Sequence, residues 1–328
     1  LHLSIRRQRQ MCIRDSDNLE HLLDGVDLVS EILVNAPRVT ILATSSERLN
    51  VQAEWLFDVG GLAYPPKEPA GADPAELLTE LTSYSAIELF VQRAIQVQPA
   101  LMLDRPMLLT IVRICQYVAG IPLAIELAAA GVRTLPLAEI ERHITANLDA
   151  LVTTLRDVPP RHRSLRAVFD YSWRLLEEYE RVLFSRLSVF RGGWSLAAAA
   201  EVTGATLPVL NMLVDKSLVR QSGDPSGREP RFTLLEPLRE YAREQLIAQG
   251  EAAAIQRAHA RYYQSVAEAV AAQWGTATFE LAIAQLQREY DNMRVALAWA
   301  RDSSDSLLGL QLAEALWQFW RSYGYISE

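Results

Sequence analysis

The sequence predicts a mainly α-helical chain with a partial α/β portion near its start. Three observations carry this. An apolar, β-rich run, Val39-Thr40-Ile41-Leu42-Ala43-Thr44, follows an amphipathic helical pattern over 18–35. Strand signals nearly vanish after a Pro-, Ala- and Glu-rich stretch at 63–82, AYPPKEPAGADPAELLTELT. From about 252 onward the chain reads as helix throughout, with Tyr262, Tyr263, Trp299, Trp317 and Trp320 set among alanines and leucines.

Composition bounds the function. Of 328 residues, 50% are hydrophobic and 22% charged, ample for a buried core and two or three domains. No uninterrupted apolar run is long enough for a membrane span, and no secretory leader opens the chain. The two cysteines, Cys12 and Cys115, make neither a disulfide framework nor a zinc knuckle. A soluble, cytoplasmic protein is expected. The net charge of −8 weighs against a chain that grips nucleic acid along its length, though a local patch stays open. The five histidines, His2, His21, His143, His162 and His259, show no metal-ligand spacing, and there is no G-x-S-x-G elbow. His21 and His143 read as helix-surface residues.

Taken in order, residues 1–16 (LHLSIRRQRQMCIRDS) are densely basic and lack helical or strand period. They resemble translated sequencing-adapter read-through; a flexible basic arm is the alternative, and no function is drawn from them. Over 18–35, Leu19, Leu22, Leu23, Val26, Val29, Ile32 and Leu33 fall at helical spacing, and Ala36-Pro37 ends the helix. The run 39–44 is apolar on both faces, as suits a buried parallel strand. Residues 84–98, 105–118, 122–132 and 137–147 read as four helices of one subdomain, joined to the sheet by the 63–82 linker.

A different rhythm occupies 160–250. A helix over 179–190 precedes Gly192-Gly193. Short helices follow at 195–203 and 207–216. Leu218-Val219-Arg220 and Arg231-Phe232-Thr233-Leu234 read as strands around a polar loop, and a long helix spans 236–249. Three helices and a hairpin make a winged helix. Beyond it, helices are expected at 252–272, 277–288, 291–302 and 305–323, similar to the start of a tetratricopeptide-type α-solenoid, although no strict repeat is visible. The expected division is 1–16, 17–75, 76–158, 159–250 and 251–328. The chain stops within what reads as a helix pair, so both ends are expected to be cut.

Four segments in order carry a family resemblance. They are Asp17-Asn18-Leu19-Glu20-His21-Leu22-Leu23, Leu42-Ala43-Thr44-Ser45-Ser46-Glu47-Arg48-Leu49, Gly120-Ile121-Pro122-Leu123-Ala124-Ile125-Glu126-Leu127-Ala128, and Phe232-Thr233-Leu234-Leu235-Glu236-Pro237-Leu238-Arg239-Glu240-Tyr241-Ala242. Over about 17–328 they resemble the signal-transduction ATPases with numerous domains, nearest to bacterial NB-ARC-type regulators. The resemblance implies a truncated P-loop NTPase sheet, a helical lid, a winged helix and the start of a solenoid.

It also implies site roles. Asp17, at a strand end, would hold Mg²⁺ through water beside bound phosphates; capping the following helix is its plain alternative. Asn18 stands where relatives often carry a second acid and cannot act as a base, which leaves Glu20 as a nearby substitute. Ser46 stands where the family commonly has a γ-phosphate-sensing arginine, and Arg48 lies two residues on. An exposed loop charge is the alternative for Arg48. Gly120 and Pro122 would form the adenine-side motif; a plain first-turn proline is the alternative for Pro122. Leu235 occupies the position of a histidine that reaches the ADP β-phosphate in many relatives.

The phosphate loop itself, G-x-x-x-x-G-K-[ST], is absent. The only lysines, Lys67 and Lys216, follow Pro66 and Asp215. The loop is expected before residue 1 in a longer parent, so that this chain binds ATP poorly.

These readings predict a fragment of an ATP/ADP- and Mg-dependent switch that controls transcription or assembly. Protein partners or a ligand would act on the C-terminal helices, and self-oligomerisation is open. The alternatives are a winged-helix DNA-binding transcription factor and a nucleotide-independent interaction scaffold. The candidate recognition helix, LPVLNMLVDKSLV, carries one lysine and reads as packing surface. DNA contact is therefore expected only through a domain outside this chain.

Overall fold

The computed structural model describes residues 12–16, 19–21, 23–69, 74–152, 163–222, 230–276, 279–303 and 305–323. Contacts divide the chain into two units: Leu1–Val59 with Asn211–Val219, and Gly60–Leu210 with Arg220–Glu328.

In the first unit, β1 (Cys12–Ser16) pairs parallel with β2 (Val39–Ala43), from Cys12 opposite Val39 to Ser16 opposite Ala43. β1 falls in the basic segment for which no strand was expected. Backbone pairing along a parallel ladder needs no side-chain alternation, so the pattern gave no sign of it. β2 is parallel as expected but not buried: Leu42 is 63% exposed, because two strands and one short helix cannot cover both faces of a sheet. The expected helix over 18–35 is also shorter. Two 3-10 turns, Leu19–His21 and Leu23–Gly25, precede α1 (Asp27–Asn35). Gly25 weakens a continuous helix there, and the Leu19 N–H is drawn to the Thr44 carbonyl at 3.0 Å.

The second unit is helical, with one small sheet. Its first helices are α2 (Pro74–Leu81), α3 (Ser85–Val97), α4 (Arg105–Tyr117), α5 (Pro122–Ala130) and α6 (Leu137–Ala146). α2 falls in the stretch expected to be linker; its one proline, Pro74, takes the first position, and Leu77 and Leu81 are buried and hold it as a helix. α4 starts where the Asp104 carboxylate accepts the Met107 N–H at 2.9 Å, with Pro106 in the first turn. α4 ends in a left-handed pair, Ala119 (φ 52°) and Gly120 (φ 69°), and the Gly120 N–H reaches back to the Cys115 carbonyl. The Cys115 thiol is buried, and burial pushes it up to about 12, so it stays protonated.

Next come α7 (Leu165–Arg174), for which no helix was expected, α8 (Glu178–Leu187), β3 (Trp194–Ser195), α9 (Leu196–Thr203), α10 (Leu207–Asp215), which from Asn211 is counted with the first unit, β4 (Arg220–Ser222), β5 (Arg231–Thr233) and α11 (Glu236–Ala248). The sheet order is β3-β5-β4, antiparallel throughout. β3 is only two residues long, too short for a periodic signal. Finally, α12 (Ala252–Ala271), α13 (Phe279–Asp302) and α14 (Ser306–Tyr323) pack on one another. α13 is one helix where two were expected. Nothing between Arg288 and Asp291 breaks a helix, and Glu289, Tyr290, Asn292 and Met293 are buried on it. Small residues let α14 approach: a Cβ on Gly309 would lie 3.2 Å from the Ala300 Cβ. Among the described residues, no single helix is long and apolar enough to cross a membrane.

Gly120 offers a direct check. A Cβ there would sit 2.2 Å from the Leu62 carbonyl oxygen, whose own N–H donates to the Gly120 carbonyl at 2.8 Å. Gly120→Ala is expected to cost about 2 kcal/mol or more from left-handed strain and backbone clash. A urea titration followed by circular dichroism that shows no loss of stability would contradict this packing.

Candidate nucleic-acid interface

The helix pair α9–α10 has the local chemistry of a helix-turn-helix. The Ser195 hydroxyl accepts the Ala198 N–H at 3.1 Å and starts α9. Gly204, at φ 75°, ends it in the left-handed conformation that glycine adopts without penalty. After a short turn α10 begins, and the two axes bend by 108°. Leu210 and Leu213 are buried along α10, while Leu207, Asn211 and Met212 face outward. The outward face is therefore half apolar, as its sequence predicts, and Asn211 is its one amide capable of reading a base edge.

α8 is fixed by a capping box in which the Glu177 N–H donates to the Glu180 carboxylate at 2.8 Å. Behind it lies an aromatic core. Phe190 stacks on Trp194 with centroids 5.2 Å apart, and Phe169 and Trp173 meet Tyr241 edge-on. Trp194 and Phe232 are buried opposite one another in the sheet. The Tyr241 hydroxyl donates to Asp170 at 2.8 Å.

Residues 176–247 match the winged helix-turn-helix domain family. This chain carries a winged helix-turn-helix domain. It is also similar to "Putative HTH-type transcriptional regulator Rv0890c" of Mycobacterium tuberculosis, with 37% identity over 320 residues, covering 95% of this chain and 34% of the relative. The Mycobacterium bovis protein of the same description, Mb0914c, matches equally. "Uncharacterized protein Rv0894" of Mycobacterium tuberculosis is 34% identical over 249 residues, covering 73% of this chain and 58% of the relative. The chain thus spans about a third of the length of the named regulators it matches.

The winged helix is nearly neutral. Residues 176–247 hold nine basic and ten acidic side chains, and most described cations have carboxylate partners. Arg186 pairs with Glu251 at 2.7 Å, Arg191 with Glu236 at 3.3 Å, and Arg239 with Glu236 at 2.6 Å. Arg220 differs. It lies on β4, the sheet edge, where Arg220, Gln221 and Ser222 are all exposed, and it has no ion-pair partner among the described residues.

The residues singled out from sequence fall as follows. Asp17 and Asn18 lie outside the described residues. In the first unit, the Glu20 carboxylate accepts the Ser46 N–H at 3.3 Å. Arg48 pairs with Asp215 at 3.1 Å, and Lys216 lies 3.8 Å from Glu47. In the second unit, Pro122 takes the first turn of α5 and is exposed, beside the left-handed Gly120. The chain contains no phosphate loop, and Glu20 and Arg48 already have protein partners.

Sequence reasoning missed His259, which is buried on α12 with its ring 5.3 Å from Phe190 and 4.7 Å from Tyr263. Its Nε2 lies 3.3 Å from the Asn292 Oδ1. A lone histidine among alanines carries no sequence signal for this. Burial pushes it down to about 4, against the weaker opposing pull of Asn292. The folded state therefore keeps His259 neutral where the unfolded chain takes up a proton. Stability from this group is complete above about pH 6.5 and falls as pH drops toward 4, by up to about 1.4 kcal/mol per pH unit. Urea titrations across that window are expected to show a shallower acid-side slope for His259→Gln than for the unchanged chain; equal slopes would refute the assignment.

Proposed function

We propose that this chain is part of a transcriptional regulator, and that its winged helix binds duplex DNA, with the edge strand β4 on the phosphates. One observation carries the reading: a near-perpendicular α9–α10 pair lies inside a matched winged helix-turn-helix domain, in a chain alike over most of its length to proteins named as HTH-type regulators. In this arrangement Arg220 with Gln221 reaches the phosphates from the wing. Because few cations are free, binding is weak and depends on few phosphate contacts.

A second reading, a parent switched by ATP or ADP with Mg²⁺, is favoured by the parallel β1–α1–β2 unit followed by the Gly120-Ile121-Pro122 segment. There Asp17, Glu20, Ser46, Arg48, Gly120 and Pro122 would serve only together with a phosphate loop supplied from outside this chain. Calorimetry on a longer parent protein carrying such a loop tests it; absence of ATP and ADP binding ends it.

For the first reading, fluorescence anisotropy of a labelled duplex in low salt, about 50 mM, is expected to rise with the chain and fall away as salt increases. Arg220→Ala is expected to weaken binding several-fold and lower the slope of log K against log salt by about 1. No anisotropy change for the unchanged chain, or an unaltered slope in the variant, would remove DNA contact by this wing.

A further inference from the structure

A buried polar junction joins the sheet of the winged helix to the helices that follow it. Asn292, on α13 and 1% exposed, uses all its hydrogen-bonding groups. Its Oδ1 accepts the Arg191 N–H at 2.7 Å, and its Nδ2 donates to the Gly193 carbonyl at 2.8 Å and to Glu289 at 3.1 Å. Glu289 in turn accepts the Tyr263 hydroxyl at 3.0 Å and pairs with Arg231 of β5. Arg231 also donates to the carbonyls of Gly193 and Arg288, at 3.1 and 2.9 Å. Burial and the Glu289 carboxylate push the Tyr263 phenol far up, which keeps it a donor.

A second observation is independent of these bonds. Gly192 (φ 69°) and Gly193 (φ 95°) are pressed between α13 and β5. A Cβ on Gly192 would lie 2.6 Å from the Asp291 carboxylate, and one on Gly193 would lie 2.9 Å from the Phe232 carbonyl oxygen. The Gly192-Gly193 pair is thus required where the turn meets a helix from outside the winged helix.

We propose that Asn292 and Glu289 make α13 the support of the wing: the turn 191–195 and strand β5 hold their shape against α13, so the helical region sets the geometry of the DNA-facing sheet. Neither α9 nor α10 supplies a hydrogen bond to Asn292 or Glu289; α9 meets the turn only through its cap, Ser195, so loss of the junction loosens the wing more than α10. The link to DNA rests on the reading proposed above; the coupling itself does not.

Hydrogen exchange on the full chain tests it. Asn292→Asp keeps the shape but sets a carboxylate against Glu289 and the Gly193 carbonyl. Exchange at 191–195 and 231–233 is expected to quicken about tenfold, as loss of a buried hydrogen bond gives, with α10 protection unchanged. Should that variant fail to fold, Asn292→Ser, smaller and uncharged, takes its place with the same readout. Protection unchanged at 191–195, or lost equally across the whole chain, overturns the proposal. In the same variant, duplex affinity is expected to fall about fivefold. If the unchanged chain binds no duplex, the DNA reading fails and exchange alone decides the coupling.

Discussion

The Arg191 N–H and the carbonyls of Gly193 and Arg288 meet side chains at one junction between the winged helix and α13. The amide of Asn292 and the guanidinium of Arg231 are those partners, and Glu289 balances the arginine's charge. A buried polar group costs free energy unless its hydrogen bonds are made, so this junction is stable only when complete. The sheet of the winged helix and helices α12–α13 are organised around it. The aromatic stack of Phe190, Trp194, His259 and Tyr263 surrounds the same point, and the winged helix and α12–α13 therefore share one core.

Charge follows a related logic. Most arginines of the winged helix pair with carboxylates, within a helix, across elements or on the helices that follow, which leaves a domain with little net positive field. Paired surface charges of this kind add little stability each, but they fix which faces meet. On the proposed reading, such a domain would depend on shape and on a few exposed groups at the wing, such as Arg220, and not on electrostatic capture. The acidic character of the whole chain points the same way.

Much of the fold was legible in the sequence because it rests on local signals. The helices 85–97, 105–117 and 137–146 follow apolar spacing with capping residues such as Asp104, and the winged helix follows from three helices, a glycine pair and two short β-rich runs. The errors fall where distant partners decide. β1 is a strand only because β2 lies beside it, α2 is a helix only because its leucines find a core, and α13 continues through 289–291 because Glu289 and Asn292 are needed inside. Of the candidate site residues, Gly120 was recognisable by its motif, yet its packing against Leu62 could not be read from the motif itself.

What the sequence determined alone is the type of most elements, since hydrophobic period, helix caps and turn residues act within a few positions along the chain. What only the tertiary structure decided is which polar groups are buried together. The bond between Arg191 and Asn292 spans a hundred residues, and the helical pattern around Asn292 looks the same whether its amide meets water or the turn of a winged helix.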